Sequence, residues 1–179
     1  PDINATGSTA EGDAHETNCG ARYRNMLGRF PWRTLGLEPG RSKGSECLWY
    51  AVSGSWKAAG ANEPQLLNTD SSGQLRVLAA DGNTLIAGST AGERPVAVII
   101  APGPPIAGQI RATAGSGVEQ CGGSFVANRY LENHAATGIN NSNVSNVADA
   151  IDDFISGDPG STVVNDQMIF ITRGEIEER

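Results

Sequence analysis

The sequence predicts an α+β domain built mainly on antiparallel sheet, with few short helices. Three observations carry that expectation. The 23 glycines and nine prolines with only 18% charged residues describe a loop-rich, weakly helical chain. Short apolar runs of strand length recur between turn signals. One pair of runs flanks Asp81-Gly82-Asn83, a strong local hairpin signal. At 179 residues the chain suits a single domain, long enough to bury a substantial core.

Taken in order, residues 1–22 are polar, Gly- and Thr-rich and without periodicity, and are expected to form an irregular N-terminal loop. "CLWYAVS", residues 47–53, is apolar on both faces and is expected to be a covered central strand. "QLRVLAADGNTLIAG" sets strand runs Gln74 to Ala79 and Thr84 to Ala87 about the Asp-Gly-Asn turn. "RPVAVIIAPGPP" adds a strand over Val96 to Ala101, ended by prolines that cannot donate to a ladder. "FVANRYLENH" suggests a short helix. The strongest helix expectation is "SNVADAIDDFISG": Ser145 or Asn146 as cap, Val147, Ile151, Phe154 and Ile155 as one apolar stripe, and Gly157 as stop. A turn at Asp158-Pro159-Gly160, a strand through Gln167 to Thr172 and a charged tail close the chain.

Six of the ten aromatic residues, with every tryptophan, lie between Tyr23 and Trp56. Such a lopsided distribution suggests that this end packs against something substantial. The net charge of -7 and pI near 4.8, without a basic cluster, argue against nucleic acid as a partner, because phosphate binding needs a cationic face. No run of eighteen apolar residues is present. The opening "PDINATGSTAEGD" lacks Met and is expected to follow a removed N-terminal segment.

Cys19, Cys47 and Cys121 have neither zinc-site nor CxxC spacing, so a disulfide is the expected use. Three thiols allow one internal bond among three pairings. The Cys47–Cys121 pair is favoured, since closing that long loop would stabilise by about 4 kcal/mol in the chain-entropy account. Cys19 is then the unpaired or intermolecular candidate.

Catalytic signals are sparse. The two histidines, His15 and His134, sit in polar stretches. Ser116 is flanked by glycines without the nucleophile-elbow pattern, and "AGSGVEQCGGS" lacks the Lys-Ser/Thr ending of a phosphate loop. Asp149, Asp152, Asp153 and Asp158 would suit a hard cation such as calcium, although the EF-hand spacing is absent and an acidic solvent face is the preferred reading. No other cofactor is expected. Glycosylation patterns at Asn4, Asn140 and Asn143 matter only in a eukaryotic source.

The order of several motifs resembles the bacterial prepilin-type proteins, the pilin-like subunits of type IV pili and of the type II secretion pseudopilus. The counterparts are Pro1-Asp2, Cys19, "RFPWRTLGL" at 29–37, "CLWYAVS" at 47–53 and "NDQMIFITR" at 165–173. Residues 60–160 carry no counterpart. Where members of this kind often have an Asp-Gly-Asp-Gly-like loop after Pro-Asp, this chain reads "INATGSTAEGD". The resemblance implies a pilin-like head domain that packs on a missing N-terminal helix. Phe30, Trp32, Leu35, Trp49 and Tyr50 would cover the junction, and the head alone should expose an apolar groove. It further implies a non-enzymatic filament subunit, a minor pilin or pseudopilin, in the bacterial cell envelope. Its head would be periplasmic or extracellular, its partners other pilin-like subunits, and the missing helix would reach the inner membrane. The alternative from a different class is a secreted carbohydrate-binding or adhesion module with exposed tryptophans. A periplasmic hydrolase would require His15 or His134 to meet a serine or carboxylate in a pocket.

Overall fold

A computed structural model describes residues 1–2, 10–15, 21, 23–43, 45–57, 70–111, 121 and 123–177. Nine strands are assigned among them: β1 (Met26–Arg29), β2 (Trp49–Val52), β3 (Leu75–Leu78), β4 (Leu85–Ala87), β5 (Pro95–Ala101), β6 (Asn133–His134), β7 (Ile139–Asn140), β8 (Asp152–Ile155) and β9 (Gln167–Thr172). One α-helix, α1 (Arg173–Glu177), follows β9, and short 3-10 turns occupy Gly54–Trp56, Ala91–Glu93 and Ala127–Arg129. The last of these is all that forms of the helix expected over "FVANRYLENH". Mostly antiparallel sheet with very little helix is the observed class.

Two sheets pack face to face. The first runs β1-β2-β5-β9, antiparallel throughout, and the second runs β4-β3-β8. A two-stranded β6-β7 hairpin stands beside them. Val, Ile and aromatic residues dominate the central strands because their branched or flat side chains pack well on a pleated surface. Trp49, Ala51, Val98 and Ile100 from the first sheet meet Leu75, Val77 and Phe154 from the second, with Tyr130 and Leu131 between them. Each such large apolar side chain contributes about 1.5–3 kcal/mol by leaving water.

The expected strands at 47–53, 74–79, 84–87, 96–101 and 167–172 all form, and the β3–β4 hairpin turns where the sequence indicated. Gly82 there has a φ of 67°, which glycine reaches without cost. The Asp81 carboxylate accepts the backbone N–H groups of Asn83 (2.9 Å) and Thr84 (2.8 Å) and the Thr84 hydroxyl (2.6 Å). These bonds, the hydroxyl's foremost, hold its pKa down at about 2.

The expected helix over Ser145 to Ile155 is corrected. Its second half is strand β8, parallel to β3, and its first half is irregular. The supposed stripe does not share a face: Phe154 and Ile155 are buried, whereas Val147 is 65% and Ile151 42% exposed. Asp149 adopts a φ of 58°, incompatible with a continuous helix. Aspartate side chains instead bond locally and across strands. Asp152 accepts the Ser145 N–H (2.9 Å) and Asn25 Nδ2 (2.7 Å), and Asp153 receives Arg76 through two bonds of 2.6 and 2.7 Å. Gly157 follows β8 where the backbone of Val164 leaves no room for a side chain.

Candidate functional site

Register across the first sheet fixes which side chains share each face, because cross-strand partners project to the same side. One face carries the rows Leu27–Ala51–Val98–Phe170 and Arg29–Trp49–Ile100–Met168, and turns toward the second sheet. The opposite face carries Gly28–Tyr50–Ile99–Ile169 and Met26–Val52–Ala97–Ile171. Those eight outer positions include no charged residue. Exposure rises toward β9: Val52 and Ala97 are buried, Tyr50, Ile99 and Met26 half-buried, Ile169 67% and Ile171 45% exposed.

An antiparallel sheet with one solvated face normally places its polar residues outward. Here the charge is on the inside. Arg29 lies 4.6 Å above the Trp49 ring and 4.5 Å from that of Tyr130, with Phe125 at 5.8 Å. Its guanidinium donates to the carbonyls of Cys47 (3.1 Å) and Ser124 (3.0 Å), while Nε has no hydrogen-bond partner among the described residues. Burial pulls its pKa below the usual arginine value, and Tyr130 and the carboxylates of Glu46 and Glu11 push it back up. Cation–π attraction strengthens when the cation is desolvated, which suits this cage.

Cys47 and Cys121 form the disulfide, and Trp32 and Phe30 pack on it. Phe30 meets Tyr50 edge-on, ring centroids 6.1 Å apart, so this pair lies next to the outer face. Trp49 points to the opposite side of the same strand, into the core. Leu35 is exposed on the turn after Trp32, closed by the Leu37 N–H to the Trp32 carbonyl at 2.9 Å. The five aromatic and aliphatic residues singled out from sequence therefore occupy three places: the disulfide cluster with the outer face, the core, and a surface turn. Cys19, Asn4 and Ser116 fall outside the described residues. Sequence reasoning did not single out Ile99, Ile169 and Ile171, because "VAVIIA" and "QMIFIT" read as continuous apolar runs and conceal which residues face outward.

Much of the remaining candidate chemistry is engaged within the fold. His134 Nδ1 shares a hydrogen with the Thr137 hydroxyl at 2.7 Å. A polar groove of about 420 Å³ reaches from Thr137 and Asn140 to Asp152 and Asp153, whose carboxylates are committed as described above. The Asp149 carboxylate accepts Gln74 Nε2 at 3.4 Å, and Asp158 is exposed in the turn closed by the Ser161 N–H on its backbone carbonyl. Among the described residues, no group of three or more His, Cys, Asp or Glu side chains is placed to hold a metal ion.

No helix among the described residues is long and apolar enough to cross a membrane. The chain matches no protein-family model, no curated protein and no solved structure.

Proposed function

We propose that this domain is the head of a filament subunit of the minor pilin or pseudopilin kind, working without catalysis. Its outer sheet face would seat a helix carried N-terminal to Pro1. The observation that carries this reading is the inverted sheet: a charge-free outer face that opens to solvent at Ile169 and Ile171, beside an inner face that hides an arginine. A face meant for water has little reason to be built from Gly, Met, Tyr, Val, Ala and Ile across eight positions, and contiguous exposed apolar surface marks interaction sites.

The position of Pro1 supports the same occupant. Asp2 exchanges two backbone hydrogen bonds of 2.8 Å with Arg29, which sets the buried Pro1 alongside β1, the edge strand opposite β9. A helix entering there would cross the outer face from β1 toward β9 to cover Ile169 and Ile171. Apolar burial at about 25 cal/mol per Å² would then drive packing of helix on sheet and of subunit on subunit. On this reading the protein belongs to the bacterial cell envelope, with pilin-like subunits as its partners. A carbohydrate-binding role finds less support: Trp32 and Trp49 are buried, and half-buried Trp56 donates its indole N–H to the Ser71 carbonyl at 3.1 Å.

The test combines the reading frame upstream of Pro1 with the variant Ile169→Asn/Ile171→Asn in the whole protein. A Gly-Phe-Thr-Leu-Ile-Glu-like processing motif followed by an apolar span of about twenty residues is expected upstream. The double variant should vanish from filaments sheared from cells, while its isolated head melts with the wild type. A reading frame without that span, or a double variant assembled at the wild-type level, overturns the proposal.

A further inference from the structure

Glu132 and Asp166 are both buried, and each residue bonds the other through its backbone. The Glu132 N–H donates to Asp166 Oδ2 at 3.2 Å, and the Asp166 N–H donates to Glu132 Oε2 at 3.1 Å. Glu132 also accepts the Asn165 N–H (3.1 Å) and Gln109 Nε2 (3.0 Å), three N–H donors in all. Asp166 is different. Its Oδ2 takes the Glu132 N–H and Asn141 Nδ2 (3.0 Å), as a carbonyl oxygen would, while Oδ1 is buried and has no hydrogen-bond partner among the described residues.

We infer that Glu132 and Asp166 hold one proton between them, donated from Asp166 Oδ1 to the Glu132 carboxylate, and that this proton closes a clamp between the 131–141 segment and the residues just before β9. A hydroxyl on Oδ1 supplies what the geometry lacks: the buried atom becomes a donor, and its neighbour is the Glu132 carboxylate that already takes the Asp166 N–H. The alternative, two buried anions in contact with one lone pair unsatisfied, is far costlier. Burial, then the charge on Glu132, raises the Asp166 pKa well above the ordinary carboxyl value.

The clamp spans more than two residues. Asn141 also exchanges hydrogen bonds with the backbone of Ile155, both 2.8 Å, so β8 joins the same network. Arg111 is the cation nearest in this chain of contacts, yet it bonds Gln109 Oε1 (2.7 Å) and the Tyr130 carbonyl (3.2 Å) and reaches Glu132 only through Gln109. His134, two residues on, faces Thr137. Loss of the shared proton to solvent leaves two carboxylates repelling each other and loosens the entry to β9.

The unfolded chain releases the Asp166 proton near the ordinary value of about 3.9, whereas the folded chain keeps it to higher pH. Folding therefore takes up a proton in that window, and stability falls as pH rises through it. The test is a carbon NMR titration of the Asp166 carboxyl together with urea unfolding across pH for the wild type and Asp166→Asn. The Asp166 signal should stay protonated above the ordinary carboxyl range. The wild-type folding constant should lose up to about tenfold per pH unit in the window. Asp166→Asn, whose amide donates to Glu132 without a titratable proton, should fold and lose that slope. An Asp166 signal titrating in the ordinary range, or the same slope in both proteins, refutes the shared proton. Should Asp166→Asn fail to fold, the wild-type titration alone decides.

Discussion

The two faces of the β1-β2-β5-β9 sheet are made from the same kinds of residue and meet opposite environments. On β5, Ile99 and Ile100 are neighbours with identical side chains; Ile100 is fully buried against the second sheet, while Ile99 sits half-buried beside exposed Ile169. The difference teaches that apolar, branched residues select a strand, whereas the layer lying opposite decides whether a face becomes core. On the inner side that layer is β3, β8 and the Tyr130–Leu131 segment. On the outer side the Phe30–Tyr50 contact covers the β2 end and the cover thins toward β9.

The sharpest way to break this comparison is at Trp49, the largest fully buried side chain of the inner face. Trp49→Ala removes packing worth about 3–5 kcal/mol and also strips one aromatic wall from the buried guanidinium of Arg29. The loss approaches the whole stability of an ordinary domain, so the variant should unfold at much lower urea or not fold at all. A cost under about 1 kcal/mol would mean that the inner face is not the sealed one.

Removing the disulfide comes next. Cys47→Ser with Cys121→Ser frees a 74-residue separation and should cost about 4 kcal/mol by the loop-entropy account. Because Phe30 and Trp32 rest on the bridge, the variant also tests whether the covered end of the outer face depends on it. Urea midpoints measured with and without reductant should differ for the wild type and coincide for the double serine variant. Coincidence in the wild type would remove the bridge from the account of stability.

Much of this contrast was legible in the sequence, and the illegible part has physical causes. Turn chemistry at Asp81-Gly82-Asn83 and the proline stop after Ala101 are local, so the strands they bound could be read directly. The 145–157 segment could not: its Val, Ile and Phe spacing fits a helix, and only tertiary pairing of Val77 with Phe154 and Arg76 with Asp153 selects the strand. The aromatic cluster was visible as a cluster, but not its division, since alternate residues of one strand, Trp49 and Tyr50, leave for opposite faces. Ile169 and Ile171 were hidden for the same reason. The Glu132–Asp166 pair joins residues far apart in the chain and has no motif, so nothing in the sequence announces it.

The smallest expected effect is the most informative about the outer face. Ile169→Thr keeps β-branching and strand preference while removing most of the apolar surface that this side chain shows to water. Since the side chain is 67% exposed in the isolated domain, the urea midpoint should move by less than about 0.5 kcal/mol equivalent. What should change is association: light scattering of concentrated wild-type domain should rise with concentration more steeply than that of the variant, because a smaller apolar patch gives less reason to self-associate. A destabilisation of the size expected for a core isoleucine, about 2 kcal/mol or more, would instead show that Ile169 is covered in solution. The outer face would then be a second core, and the distinction between the sheet's two sides would fail at the strand where it is greatest.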